Sequence, residues 1–321
     1  MKNKKWIILY SLLAAGILLA IYLYLTANTR GQPTFALRLR SQRLLPFIFV
    51  GTASATATII FQTMTQNVIL TPSIIGLESL YIFLQTAGLF FLGTEHWLTT
   101  DARLNFIFSL LMMAIASVLL FGLFFKIQPG NLYLILAVGI IMGTLFSSLT
   151  QFLQVIIDPN EYDQLFARTV ASFNRVEISL TLLSIMVILP VLIYLYSERN
   201  RLDVLHLGNP AASSLGIEVD RYQLVLFLMV SLLTAAATAL VGPISFLGFI
   251  GAHIAYRLFG TYRHTVLLTG ASLITILFIL VGQLLVEHLF KLRVTLGVII
   301  QFVGGIYFLL ILLREGRGVH D

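Results

Sequence analysis

Cysteine is absent from the 321 residues, so neither disulfides nor thiolate metal sites are available. Charge is scarce too. Asp, Glu, Lys and Arg make up 11% of the chain, against about 25% in an average soluble domain. A water-facing surface of ordinary size cannot be built from that supply. No Gly-x4-Gly-Lys-Ser/Thr phosphate loop occurs, which excludes ATP binding by that motif. Paired carboxylates, a nucleophile–base arrangement and a zinc motif are also missing, so the chain is not read as an enzyme.

Apolar sequence is what the chain has in quantity: 58% of residues are hydrophobic and the mean hydropathy is +0.95. The expected fold is all-α, a single polytopic membrane domain over residues 1–321. A span needs about 20 mainly apolar residues. Ten such segments are expected: 6–26, 44–64, 74–93, 104–125, 132–156, 176–197, 222–241, 244–259, 265–286 and 295–313. The first follows MKNKK, but it exceeds the signal-peptide core of about 7–15 residues and lacks a clear cleavage site, so a retained helix is expected. The net charge of +6 does not call for nucleic acid, because basic loops beside spans serve topology.

Ten spans put both ends on one side. With the N-terminus cytoplasmic, the inner segments carry Lys2, Lys4, Lys5, Lys126, Arg199, Arg201, Arg221, Arg257, Arg263, Arg314 and Arg317. The outer ones carry Arg30, Arg38, Arg40, Arg43, Arg103, Arg168, Arg175, Lys291 and Arg293. That is 11 against 9, and 11 against 5 once the four arginines from Arg30 to Arg43 are set aside. The stretch LRLRSQRLLPFIF is therefore a local exception to the positive-inside rule. The loops GTEHWLTTDAR and DPNEYDQLFAR fall outside. Ser197 to Arg221, too polar to span, should form short helical pieces at the cytoplasmic surface.

Two stretches combine small residues, a Gly/Pro break and a short following span: one from Gly51 to Ser79, the other from Ala237 to Gly260. They enter from opposite sides. Interrupted segments at corresponding places point to an inverted repeat with a pathway between the halves.

These stretches carry a resemblance to the permeases of ABC importers for ferric siderophores, haem and cobalamin (FecCD-type). That family's Arg-Leu-Pro-Arg before a small-residue helix is similar to Arg40-Ser41-Gln42-Arg43 and GTASATAT. Its Gln-x4-Asn…Pro-x3-Gly motif is matched by Gln62, Asn67, Pro72 and Gly76, with Val68-Ile69-Leu70 in place of Pro-Leu-Ala. Leu207, Gly208, Ala212, Leu215 and Gly216 match its Leu-Gly-x3-Ala-x2-Leu-Gly in full. Gly242, Ile244, Phe246, Gly248, His253 and Arg257 match a further motif, with Phe249 and Ala252 as departures. Gly282 replaces an Asp, and the RVTLG of Arg293 to Gly297 replaces Glu-Leu-Pro-x-Gly. DPNEYDQLFARTVASFN resembles the branch importing ferric siderophores, particularly catecholate types, where two different permeases commonly pair.

The resemblance implies a ten-helix subunit in the bacterial cytoplasmic membrane. Its partners would be a second permease (a different chain or itself), cytoplasmic ATPases and an extracellular or periplasmic siderophore-binding protein. No cofactor is expected on this chain; ATP and Mg belong to the ATPase, and iron stays with the siderophore. Arg40 and Arg43 match positions facing acids of the binding protein, with Arg38 beside them and Lys291 and Arg293 as a second patch. Guanidinium groups suit that task, because they take carboxylates bidentately. Leu207, Gly208, Asn209, Ala212, Leu215 and Gly216 would couple to the ATPase, Asn209 standing where the family often has an acid. Gln62, Gln66, Asn67 and Glu78 either line the pathway or serve packing and the interface. His253 and the Glu287-His288 pair read as structural.

Overall fold

So apolar a chain satisfies its backbone polar groups internally by coiling, and the computed structural model is helical throughout, with no strand among the described residues. It describes residues 2–27, 33–127 and 132–315; Arg30 and Arg317, counted above, lie outside them. Eight helices are long and apolar enough to cross a membrane: α1 (Lys2–Thr26), α2 (Pro33–Thr65), α5 (Ala102–Ile127), α6 (Leu132–Ile156), α8 (Ile178–Ser197), α11 (Val219–Val241), α13 (His264–His288) and α14 (Leu296–Glu315). Two shorter apolar helices, α3 (Leu77–Leu92) and α12 (Leu247–Phe259), complete the ten expected segments.

The main correction concerns α2. It begins at Pro33 rather than at 44, so LRLRSQR is helix and not loop. Leu and Arg are good helix formers, and the internal Pro46 does not end the helix. The acidic loops are also partly helical. α4 (Trp97–Thr100) is capped by His96, which accepts from the Leu98 N–H. α7 (Pro159–Thr169) is capped by Asp158 and anchored by the fully buried Leu165. The polar stretch after α8 forms two short pieces, α9 (Arg199–Leu205) and α10 (Asn209–Ser214).

α2, α11, α12 and α13 hold most of the core, with α1 and α14 on the periphery. The two ends of the bundle differ in content. α4, α7 and the 289–295 turn gather at one, α9 and α10 at the other.

Both short helices start inside the bundle. A 3-10 turn (Pro72–Ile75) and Gly76 precede α3. Gly76 has φ 81°, and a Cβ there would lie 2.8 Å from the Gly143 backbone of α6, so only glycine fits. α12 lies against α2 so closely that a Cβ on Gly248 would meet the Ser54 carbonyl at 2.2 Å.

Candidate functional site

At the α7 end, the arginines of α2 are engaged within the chain. Three residues apart on a helix, Arg40 and Arg43 share a face. Arg40 donates to the Tyr24 and Ala27 carbonyls at 2.8 and 2.6 Å, capping the end of α1, and to Glu287 Oε2 at 2.9 Å. Arg43 donates to the Asn174 carbonyl at 3.2 Å and lies 4.0 Å from Glu287 Oε1. Gln283 closes the network by donating to Asn174 Oδ1 and Glu287 Oε1. Side-chain exposure is only 12% for Arg40 and 9% for Glu287. The sequence reading of Glu287 as structural gains its partners here: Glu287 is the hub joining α1, α2, α13 and the 170–177 segment. Arg38, Lys291 and Arg293 are exposed instead. Lys291 and Leu292 hold left-handed backbone angles (φ 48° and 62°), a sparsely populated region for bulky residues that often marks functional turns.

Mid-bundle, the two interrupted segments converge. Glu78, in the first turn of α3, accepts from Ser245 Oγ at 2.5 Å and Ser73 Oγ at 3.4 Å. Ser73 also donates to the Ser245 carbonyl at 3.1 Å. Ser245 lies one residue before the N-cap of α12, Phe246, so the carboxylate sits where two helix N-termini meet, and their dipoles favour negative charge. Ser54, Thr58, Thr234 and Thr238 line the adjoining cavity of about 30 Å³, room for one or two waters. Glu78 thus joins the two interrupted segments. Gln62, Gln66 and Asn67 build the chain reversal after α2. Gln62 donates to the Val68 carbonyl at 2.5 Å, and Asn67 Oδ1 accepts from the Ile69 N–H at 2.9 Å. Gln66 donates across to the Leu205 carbonyl of α9 at 2.9 Å.

Gln66 leads to the other end, where α9 and α10 are pinned to the bundle. Leu202, Leu205 and Ala212 are fully buried beneath them, and Gln223 of α11 donates to Asn209 Oδ1 at 3.1 Å. The strongest tie was not visible in the sequence. His264, fully buried at the start of α13, donates through Nδ1 to Asp203 Oδ1 at 2.8 Å, and its Nε2 lies 2.8 Å from Thr63 Oγ1 of α2. Burial alone would raise the Asp203 carboxyl, yet the hydrogen bonds from the His264 ring and backbone N–H hold it below its ordinary value. By linkage, its contribution is complete above the usual carboxylate range and fades only as the pH falls through that lowered value. Asp203, His264 and Thr63 have the connectivity of an acid–base–hydroxyl chain. Thr63 and His264 are both fully buried, so no substrate reaches the hydroxyl and the chain serves as a tie. Above it, Leu207 and Leu215 stand 68% and 65% exposed. His253 packs between Phe249 and Tyr307, with ring centroids 5.7 and 5.6 Å away.

Comparison with known proteins fits this arrangement. Residues 6–314 match the FecCD transport family. The chain is 39% identical over 287 residues to the petrobactin import system permease protein YclO of Bacillus subtilis, covering 89% of this chain and 91% of that protein. It is 32% identical over 317 residues to the petrobactin import system permease protein FatC of Bacillus anthracis, covering 98% and 90%. A solved chain from an inward-facing metal-chelate type ABC transporter superposes with a TM-score of 0.83 at 22% identity, covering 98% of this chain and 100% of that one. A multi-pass permease built on that fold, the chain belongs to the FecCD transport family.

Proposed function

We propose that the chain is one permease subunit of an ATP-driven importer that carries a ferric siderophore inward. The observation that carries this reading is the pair Leu207 and Leu215, two large apolar side chains exposed on a polar segment outside the spans. The two are read together as one partner surface, and the buried ties beneath would pass a push there into α2 and α13. The α9–α10 end is accordingly taken as cytoplasmic, with an ATPase seated on it that supplies ATP and Mg chemistry. The names of the petrobactin relatives support the cargo class. A second permease completes the pathway, lipid surrounds the pair, and iron remains within its chelate.

Leu207→Asp with Leu215→Asp is expected to leave the permease folded, because neither side chain is buried, while co-purification of the ATPase falls at least tenfold. ATPase recovery equal to wild type would overturn the coupling assignment.

Docking of the binding protein is assigned to the α7 end. Arg38, Lys291 and Arg293 are among its exposed cations, while Arg40 and Arg43 fix the helix that presents Arg38. Lys291→Glu with Arg293→Glu should slow association about tenfold at low salt and less at high salt, because rim charges act mainly on encounter. Surface-based binding to nanodisc-held importer reads this directly, and unchanged association returns the turn to a structural role. Gln62, Gln66, Asn67 and Glu78 are taken to shape the pathway wall by holding the chain reversals beside it.

A further inference from the structure

α7 carries the resemblance to the siderophore branch, and its last turn borders a recess used by none of the roles above. The recess has a volume of about 180 Å³ and lies between α3, α5, α7 and α11. Tyr81, Gln85, Asn105, Arg168 and Arg175 line it. Its floor is Gln85, only 4% exposed. Gln85 Nε2 donates to Asn105 Oδ1 at 2.8 Å and Ser109 Oγ at 2.9 Å, but its Oε1 has no hydrogen-bond partner. A buried acceptor left in that state costs stability until a donor reaches it.

Arg168 is half-buried and makes no hydrogen bond or ion pair with a described residue. Burial pushes its guanidinium down from the ordinary value, the mark of a cation withdrawn from water without a counter-charge. Arg175, exposed at the mouth, is held by a hydrogen bond to the Ala167 carbonyl. The recess therefore offers two cations and one acceptor awaiting a donor. Its complement is an oxyanion with an N–H or O–H alongside.

Resting on the reading of the chain as a siderophore permease, we propose that this recess is an anion subsite for the cargo. Arg168, with Arg175 at the mouth, takes an oxyanion of the incoming chelate, and Gln85 Oε1 accepts from a neighbouring N–H or O–H. Catecholate and hydroxycarboxylate oxygens around Fe(III) outweigh the metal's charge, so such complexes are anions with these groups on their periphery. An acidic side chain of the binding protein fits less well. Gln85 lies seven residues from the Leu92 end of α3, about 10 Å below it at the helical rise. The volume admits one arm of a chelate, so the subsite orients the cargo without enclosing it.

The test is uptake of ferric petrobactin by the complete importer, with its binding protein, in vesicles of zwitterionic lipid. Arg168→Gln is expected to raise the apparent KM about tenfold, the effect of one lost charge-assisted hydrogen bond, with the maximal rate within about twofold. It should also flatten the salt dependence of KM, which a purely structural residue would not do. Arg168→Lys should recover most of the affinity. Arg175→Gln, at the exposed mouth, guards against misfolding of the first variant and is expected to raise KM about threefold. Unchanged KM in both glutamine variants overturns the proposal. So does an equal loss of binding-protein capture, which would make Arg168 a docking residue. An effect seen only with anionic lipid added would assign the recess to headgroups and overturn it too. If the wild type itself fails to import, the underlying function falls; if it imports and the variants match it, only the subsite does.

Discussion

Arg40→Glu is expected to prevent accumulation of folded permease. Arg40 and Glu287 are 12% and 9% exposed, and breaking such a pair by removing one partner costs about 3–5 kcal/mol. Reversal adds a carboxylate facing Glu287 and leaves the Tyr24 and Ala27 carbonyls without their donor. Against a net stability of about 5–15 kcal/mol, that loss is decisive. Monodisperse yield in detergent and the thermal midpoint read it. Combining Arg40→Glu with Glu287→Arg should recover only part, because the end of α1 stays uncapped. Arg38→Glu, on the exposed neighbour, should leave yield unchanged. Wild-type stability in Arg40→Glu would show that the cluster is not structural and would return Arg40 to the docking surface.

Replacing His264 is expected to separate ATP hydrolysis from transport. The ring joins Asp203 of α9 to Thr63 of α2, and it belongs itself to α13. His264→Ala removes both side-chain contacts and leaves Asp203 with the backbone N–H alone. The expected stability loss is about 2–3 kcal/mol, two hydrogen bonds with one to a charged group. Leu207 and Leu215 are untouched, so the ATPase should still co-purify. Transport per ATP hydrolysed should fall about tenfold if the link carries roughly 1.4 kcal/mol of coupling. His264→Asn, which keeps a donor near the Nδ1 position, should restore part of it. Wild-type coupling in the alanine variant would reduce the tie to packing.

The spans were legible because their apolar runs are long and uninterrupted; α6 occupies the expected 132–156 at both ends. The two short helices α9 and α10 were legible because Ser197 to Arg221 is too polar to span and carries the turn glycines Gly208 and Gly216. α2 was misjudged because its arginines read as solvent-facing charge. Their partner, Glu287, lies 247 residues from Arg40 along the chain. Thr63 and His264 are 201 apart. Pairings at such separations leave no periodicity or spacing to detect, and only the fold brings them together. Glu78 illustrates the intermediate case. An acid beside a span can be noticed from the sequence, but its two serines and the two helix N-termini cannot.

A partly buried carboxylate such as Glu78 is also what an ion-coupled carrier would need, so the energy source separates the two transporter classes. The most direct measurement is uptake of ferric petrobactin into vesicles holding this chain with its partner permease and ATPase. ATP and binding protein are added singly and together, with and without a proton or sodium gradient. Uptake is expected only when both are present, and at the same rate whether or not a gradient is imposed. Uptake driven by a gradient without ATP, or proceeding without the binding protein, would contradict the account.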